Sequence, residues 1–304
     1  MPKIEVNKIK SFTGHKDAVY ALSPDSSKDH FLSASGDGSV VSWDLAGDPD
    51  GELISKVPNS IYAVHLIPGS NRLIVGHNYK GLHIIDLSSK SELASLNFTA
   101  SAVFDIKSYH GNILAACGDG SVYEICPDTV KITHQVKISS QSARTIAINE
   151  ARGQYAVGFS DNFIRIFDLS SHNLVHEYDA HRNSVFTLTY SPSGEYLLSG
   201  SRDAHLKIWD VTDRYAGKFS IPAHLYAINH ITYSPNGSYF ATCSLDKSVK
   251  IWSAEEFRLL KVIDKPRHGG HGTSVNKLYW SDYNNWLISC GDDKSIFVWD
   301  INFN

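Results

Sequence analysis

The segment LSGSRDAHLKIWD, residues 198–210, combines alternating apolar residues with a turn signal and ends in Trp-Asp. Three clear copies of it occur elsewhere: LSASGDGSVVSWD (32–44), ATCSLDKSVKIWS (241–253) and ISCGDDKSIFVWD (288–300). Fainter copies are IVGHNYKGLHIID (74–86), AACGDGSVYEIC (115–126) and AVGFSDNFIRIFD (156–168), which makes seven in all. A fixed period of this kind indicates a repeat architecture.

The spacing and composition of the copies favour strands. The final aromatic or aliphatic residue of each copy recurs at intervals of 42, 40, 42, 42, 43 and 47 residues, at Trp43, Ile85, Ile125, Phe167, Trp209, Trp252 and Trp299. Short runs of β-branched and aromatic residues are separated by turn segments such as SPSG (191–194) and SPNG (234–237), which is the pattern of strands joined by tight turns. No segment shows sustained helical periodicity. The sequence therefore predicts an all-β repeat protein.

The clear copies resemble one family. GH…WD at 14–44, AH…WD at 180–210, AH…WS at 223–253 and GH…WD at 270–300 are similar to WD40 repeats, which open near Gly-His and close near Trp-Asp. The resemblance implies a seven-bladed WD40 β-propeller of four-stranded antiparallel blades. The segment IEVNKIKSF (4–12) is placed to supply the strand that the last copy lacks.

The resemblance covers essentially the whole chain, so we predict a single WD40 propeller domain over residues 1–304. The repeats are expected at 13–57, 58–98, 99–138, 139–179, 180–221, 222–264, and 270–304 together with 3–12.

Composition limits the class of partner. The chain is 42% hydrophobic and 20% charged, with a formal net charge of −4, and a mild negative charge gives no attraction to nucleic-acid phosphates or to an anionic membrane. No apolar run approaches the roughly 20 residues that span a bilayer, and MPKIEVNKIK lacks the apolar core of a signal peptide. We therefore expect a cytoplasmic protein, monomeric on its own, with no nucleic-acid or membrane partner. The four cysteines lack metal-type spacing, so no metal or cofactor is expected.

Four copies carry a His, a Ser or Thr, an Asp and a Trp in fixed register. The sets are His15, Ser33, Asp37, Trp43; His181, Ser199, Asp203, Trp209; His224, Thr242, Asp246, Trp252; and His271, Ser289, Asp293, Trp299. A Ser-His-Asp set is typical of hydrolases, but an active site needs one converging set rather than four in different blades. The resemblance implies a structural hydrogen-bond network, and we expect no enzymatic activity.

The three other copies lack these residues together. Val57, Thr99 and Ser139 stand in the His column, and the Ser and Trp columns also become apolar or aromatic. A partly satisfied buried polar network is worse than an apolar one, so the network is expected to be absent as a unit. Asp119 and Asp161 remain, which fits an Asp that caps its own turn.

A binding site is suggested by the first strand of each copy. Apolar residues recur at a leading position and three residues later, as in Val103 and Ile106; a flat strand would place these on opposite faces, so a β-bulge is predicted between them. The residue after the leading position reads Tyr20, Tyr62, Phe104, Arg144, Phe186, Asn229 and Asn276. The resemblance places this column at the rim of the central channel.

Aromatic residues and Arg dominate binding hot spots, so this column is predicted to bind a protein or peptide. Arg202, which precedes a turn Asp, is added to the site. The alternative for the rings is burial between blades. The alternative for the function is an enzyme or small-ligand binder that uses the channel mouth through Asp105, His230 and Lys277.

Overall fold

The fold is seen in a computed structural model, which describes residues 4–47 and 49–303. Residues 1–3, 48 and 304 belong to the predicted domain but lie outside the described residues. The chain forms seven four-stranded antiparallel sheets, which confirms the predicted all-β fold class with seven blades. The assignment of residues 1–304 to one domain stays a prediction, because the chain divides into two compact units.

The first unit, Met1–Ile61 with Asn229–Asn304, contains three sheets. Their strands are β1 (Ile4–Phe12), β26 (Val275–Trp280), β27 (Leu287–Gly291) and β28 (Ile296–Phe303) in one sheet; β2 (Val19–Pro24), β3 (His30–Ser35), β4 (Ser39–Asp44) and β5 (Glu52–Lys56) in the next; and β22 (Ile228–Tyr233), β23 (Tyr239–Ser244), β24 (Val249–Ser253) and β25 (Leu259–Ile263) in the third.

The second unit, Tyr62–Ile228, contains four sheets. Their strands are β6 (Ile61–Leu66), β7 (Arg72–His77), β8 (Gly81–Asp86) and β9 (Ser91–Leu96); β10 (Val103–Tyr109), β11 (Asn112–Cys117), β12 (Ser121–Cys126) and β13 (Lys131–Lys137); β14 (Ala143–Asn149), β15 (Gln154–Phe159), β16 (Phe163–Asp168) and β17 (Leu174–Asp179); and β18 (Val185–Tyr190), β19 (Tyr196–Ser201), β20 (His205–Asp210) and β21 (Ala216–Pro222).

The N-terminal strand completes the last blade. β1 pairs antiparallel with β28, with Ile4 opposite Phe303 and Phe12 opposite Ile296. The strand order of this sheet is β1-β28-β27-β26. The prediction for residues 4–12 is therefore confirmed.

Within each unit the apolar core lies between neighbouring sheets. In the second unit, Val103 and Ile106 of β10 pack with Ile74 and Leu82 of the preceding blade. In the first unit, Val19 of β2 belongs to a cluster with residues of β27 and β28. Full burial of each such side chain stabilises the fold by about 1.5–3 kcal/mol. The first strand of each blade is thereby held firmly, and this strand carries the predicted binding column.

Helices contribute little. A 3₁₀ turn covers Glu150–Arg152, and a short helix, α1 (Lys265–His268), forms in the long segment before the last blade. The Asp264 side chain accepts the Arg267 N–H at the start of α1, and Gly269 ends it with a φ of 65°. Among the described residues, no helix is long and apolar enough to cross a membrane.

Candidate functional site

The His181 set forms one continuous chain of hydrogen bonds. Trp209 Nε1 donates to Ser199 Oγ at 2.9 Å, and Ser199 Oγ lies 2.7 Å from His181 Nε2. His181 Nδ1 lies 3.1 and 3.2 Å from the two carboxylate oxygens of Asp203. A carboxylate only accepts, so the neutral imidazole carries its proton on Nδ1 and accepts the Ser199 hydroxyl proton at Nε2.

The last blade repeats this arrangement. Trp299 Nε1 donates to Ser289 Oγ at 2.9 Å, and that oxygen lies 2.9 Å from His271 Nε2. His271 Nδ1 lies 2.9 Å from Asp293 Oδ1. Asp293 also accepts the backbone N–H of Gly272 at 3.0 Å, which ties the loop before the blade to the turn.

The first blade has a modified version. Ser33 Oγ lies 2.7 Å from His15 Nε2 and accepts Trp43 Nε1 at 2.7 Å. His15 Nδ1, however, bonds Ser39 Oγ at 3.1 Å and lies 3.6 Å from Asp37. Ser39 Oγ donates in turn to Asp37, so a serine relays the contact between imidazole and carboxylate.

The fourth set is divided between the two units. Trp252 Nε1 donates to Thr242 Oγ1 at 3.0 Å, and Asp246 accepts the Ser248 hydroxyl at 2.6 Å, all within the first unit. His224 belongs to the second unit and is buried.

The Ser-His-Asp order of these contacts matches a catalytic triad, but the serines are inaccessible. Ser33, Ser199 and Ser289 are each 0% exposed, and each accepts a Trp N–H. A nucleophilic hydroxyl must reach its substrate. The geometry therefore favours a structural role for the three serines.

Burial determines the ionisation of the network. It lowers the pKa of His15 and His181 below the usual value, although Asp37 and Asp203 act in the opposite direction. Burial acts to raise the pKa of Asp37, but hydrogen bonds from Ser39 and Lys16 outweigh it and lower the pKa to about 2. The pKa of Asp203 is lowered in the same way, chiefly by its hydrogen bond from His181.

These shifts predict that stability falls as pH is lowered from 7 to 5. The pKa values of His15 and His181 are lowered on folding from 6.5, so below that pH the unfolded state binds more protons, and stability rises with pH. A second fall is expected below about pH 4, where Asp37 and Asp203 become protonated in the unfolded chain. Melting temperatures across this range measure the effect, and a His181→Ala variant should show a shallower slope. A melting temperature that rises between pH 7 and pH 5 would contradict the prediction.

In two blades that lack the His, the turn Asp still has a hydrogen-bond partner in the His column, contrary to the prediction. The network was expected to be absent as a unit, but Thr99 Oγ1 donates to Asp119 at 3.2 Å and Ser139 Oγ donates to Asp161 at 2.7 Å. The residues in the His column therefore still bind the turn Asp. Tyr123 also donates to Asp119 at 3.1 Å, and Arg165 to Asp161 at 2.9 Å, so other side chains of the same blade help to satisfy each carboxylate.

The residue after the turn Asp has a left-handed backbone in six blades. The φ values are 82° at Gly38, 85° at Gly120, 75° at Asn162, 66° at Ala204, 72° at Lys247 and 65° at Lys294. In the Gly120 turn, the Gly120 N–H bonds the Cys117 carbonyl at 3.1 Å. The conformation belongs to the turn and is adopted even where the residue has a side chain.

The predicted β-bulge is confirmed in five blades. The pairing register shifts between Val19 and Ala21, Val103 and Asp105, Ala143 and Thr145, Val185 and Thr187, and Val275 and Lys277. The residues at these shifts are Tyr20, Phe104, Arg144, Phe186 and Asn276. A bulge redirects the side chain of the extra residue, and in this chain it redirects members of the predicted binding column.

In the second unit the column forms a contiguous group over four successive blades. The Tyr62 and Phe104 ring centroids lie 5.8 Å apart. The Arg144 guanidinium carbon lies 3.9 Å from the Phe104 centroid and 4.8 Å from that of Phe186. All four side chains are half-buried, so none is fully enclosed between blades. We call Tyr62, Phe104, Arg144 and Phe186 the aromatic–arginine cluster.

The small residues before the column connect neighbouring blades. Ser142 Oγ donates to the Gly118 carbonyl at 3.0 Å, and Ser184 Oγ to the Ser160 carbonyl at 3.4 Å. Arg202 lies beside this row, because its backbone N–H bonds the Ser184 carbonyl at 3.0 Å. Its side chain is exposed and forms no ion pair within the described part of the chain.

The column members of the first unit have internal roles. The Asn229 amide donates to Ser274 Oγ at 3.0 Å and to the Val275 carbonyl at 2.8 Å. The Asn276 amide donates to the Val19 carbonyl at 3.1 Å and to Asp292 at 2.7 Å. Both amides connect neighbouring sheets of that unit, and a partner contact at either stays a prediction. Tyr20 is half-buried.

Two of the three residues of the catalytic alternative, Asp105 and His230, accept hydrogen bonds from neighbouring strands. Asp105 is 7% exposed and accepts the Ile146 N–H at 2.8 Å and the Thr145 hydroxyl at 3.2 Å. In the first unit, His230 Nδ1 accepts the Leu278 N–H at 3.4 Å, and Lys277 is half-buried.

One group in the described residues has the composition of a cation site. Single ligand atoms of Asp29, His30 and Asp44 lie within 4.8 Å of one another. His30 Nδ1 already bonds Asp29 at 2.9 Å, and Asp44 accepts the N–H groups of Ala46 and Gly47 at 2.7 and 2.9 Å. Local hydrogen bonds thus account for these groups.

Comparison with known proteins agrees with the repeat pattern. The model of the family "WD domain, G-beta repeat" matches residues 6–44, 172–210, 218–253 and 264–300, the four clear copies. The chain is 25% identical to the striatin homolog of Dictyostelium discoideum over 66% of this chain and 21% of that protein. It is 24% identical to protein groucho of Drosophila melanogaster over 66% of this chain and 29% of that protein.

It is also 26% identical to striatin-4 of Homo sapiens over 69% of this chain and 31% of that protein. The matched regions span less than a third of the length of these relatives. Four matched repeats, together with seven four-stranded sheets and the Trp-Ser-His-Asp contacts, make this chain a member of the WD40-repeat family.

Proposed function

We propose that the chain is a non-catalytic interaction module that binds a protein or peptide at the aromatic–arginine cluster of its second unit. One observation carries the proposal: β-bulges in successive blades redirect large side chains into a single half-exposed group. Aromatic residues and Arg supply much of the energy at protein interfaces, and here they lie on firmly held strands. Arg202 is proposed to extend this surface.

The proposal also covers the location of the protein and its state of assembly. A cytoplasmic monomer that recruits a partner is consistent with the composition. The catalytic alternative has less support, because the Asp105 carboxylate already accepts two hydrogen bonds from the next blade.

Affinity capture tests the proposed surface. A Phe104→Ala/Phe186→Ala variant should capture at least about tenfold less partner than the wild type. Truncation of a hot-spot residue costs about 2 kcal/mol or more of binding free energy. The protein is used as bait in a lysate of the organism that makes it, and bound proteins are quantified by mass spectrometry. Circular dichroism confirms that the variant is folded.

Phe219→Ala is the matched control. Phe219 lies in the outer strand β21 of the same unit and is 45% exposed, so its removal takes away a comparable ring elsewhere on the surface. The control should capture the partner as the wild type does. An unchanged set of partners for the double variant would refute the proposed surface.

A further inference from the structure

We propose that Arg144 binds a carboxylate presented by an acidic side chain of a peptide partner, so that this ion pair anchors the partner in the cluster. This inference rests on the proposed function and adds the chemistry of the group that the surface recognises.

Two neighbouring rings contact the Arg144 guanidinium. The Arg144 guanidinium carbon lies 3.9 Å from the Phe104 centroid and 4.8 Å from the Phe186 centroid. Rings that contact the planar cation hold it in place, and its N–H groups lie along its edge. A ligand for this cation must therefore offer acceptor atoms to that edge.

Arg144 has no counter-ion of its own. Within residues 4–47 and 49–303, no carboxylate forms an ion pair with its guanidinium. Burial lowers the pKa of Arg144, with nearby Tyr62 acting in the opposite direction, but an arginine remains charged in proteins. A half-buried cation without a counter-ion is costly, and an incoming anion would offset this cost.

Arg165 of the same unit combines two ring contacts with two carboxylate partners. Its guanidinium carbon lies 4.7 Å from the Phe159 centroid and 5.0 Å from that of Phe163. Its N–H groups also meet two carboxylates, Asp161 at 2.9 Å and Glu177 at 3.0 Å. Arg144 has the equivalent pair of rings and lacks the carboxylates. The partner is inferred to supply one.

A carboxylate fits better than a phosphate. A planar carboxylate matches the planar edge of one guanidinium, whereas a phosphate dianion is usually held by a cluster of arginines. The cluster itself contains one arginine. We therefore assign the anchor to an Asp or Glu side chain of the partner.

Random peptides displayed on phage test this assignment. Peptides selected on the wild-type protein, and not retained by the Phe104→Ala/Phe186→Ala variant, should share an Asp or Glu. For a synthetic peptide from this set, changing that Asp to Asn or Glu to Gln should raise the Kd at least about tenfold in fluorescence polarisation. Arg144→Gln should raise it similarly, and the peptide change should then have no further effect in that variant.

Each other outcome has a defined meaning. If the peptide change costs as much in Arg144→Gln as in the wild type, the carboxylate binds elsewhere and the inference fails; Arg202→Gln then tests the neighbouring arginine. Peptides that depend on the two rings but share no acid would refute the inference and leave the proposed function standing. If the selected peptides bind the Phe104→Ala/Phe186→Ala variant as well as the wild type, both the inference and the proposed function are refuted. Clearly tighter binding after the acid is replaced by phosphoserine would assign the site to phosphate and overturn the inference.

A melting experiment separates ligand binding from a structural role. Arg144→Gln should lower the melting temperature less than Arg165→Gln, because it removes two ring contacts and no ion pair. Arg165→Gln should lower it further, because Asp161 and Glu177 lose the cation with which both form ion pairs. A fall for Arg144→Gln as large as that for Arg165→Gln would show that Arg144 acts structurally and would overturn the inference.

Discussion

His181→Ala is expected to destabilise the protein by about 2–4 kcal/mol, since it leaves a cavity and removes the link between two polar groups. His181 is 4% exposed and connects Ser199 to Asp203. After the change, the Ser199 hydroxyl loses its acceptor, while Asp203 keeps the Arg182 and His205 N–H groups at 2.9 Å each. The melting temperature should fall by about 5–10 °C.

His134→Ala is the matched control, because His134 is exposed on the outer strand β13 of the same unit. It should change the melting temperature by no more than about 1–2 °C. Partner binding by His181→Ala, measured below its melting temperature, should remain close to wild type. A folded His181→Ala variant that has lost its partner would show that the histidine takes part in binding.

Gly120→Ala is expected to destabilise the protein by about 3–4 kcal/mol, because backbone strain and a collision act together. Gly120 has a φ of 85°, and an added Cβ would lie 2.2 Å from the Ser139 carbonyl oxygen and 2.8 Å from that of Gln141. Both contacts are with backbone, so the loop between β13 and β14 would have to move. Thermal melting measures the loss.

Gly111→Ala separates the two effects. Gly111 has a φ of 83° and nothing within 4 Å of an added Cβ, so only strain of about 1 kcal/mol is expected. Ala204 occupies the same turn position as Gly120 with a φ of 66°, and Ala204→Gly should leave stability unchanged or raise it by up to about 1 kcal/mol. Equal losses for Gly120→Ala and Gly111→Ala would rule out the collision.

Local patterns in the sequence predicted an all-β repeat protein, and the resemblance to WD40 repeats supplied the propeller. The seven copies predicted seven sheets, and residues 4–12 were predicted to add a strand to the last copy. The apolar residues Val103 and Ile106 predicted the bulge, because their spacing does not fit a flat strand. The strands and the bulge depend on residues close together in the chain, where periodicity is informative, whereas the pairing of residues 4–12 with the last copy joins distant segments and was predicted from the resemblance to WD40 repeats.

The candidate site depends on side-chain contacts between neighbouring blades, and the repeat period in the sequence does not predict such contacts. The sequence identified Arg144 as a column member, but its position between Phe104 and Phe186 requires the relative placement of three strands. The same holds for Asn229 and Asn276, whose amides bond neighbouring sheets. Thr99 and Ser139 were missed as partners of the turn Asp, because a hydroxyl in the His column gives no motif.

The pairing of β1 with β28 has a consequence for synthesis on the ribosome. Ile4 pairs with Phe303, so β1 cannot take its place until the chain has grown to that residue, which takes about 15–60 s at roughly 5–20 residues per second. Throughout this interval β1 lacks its native neighbour β28, and an unpaired strand edge is a template for pairing with another chain. Glu5, Asn7 and Lys8, which are exposed in the folded protein, make this segment polar before β28 is available. The last blade is completed only after β28 has been synthesised.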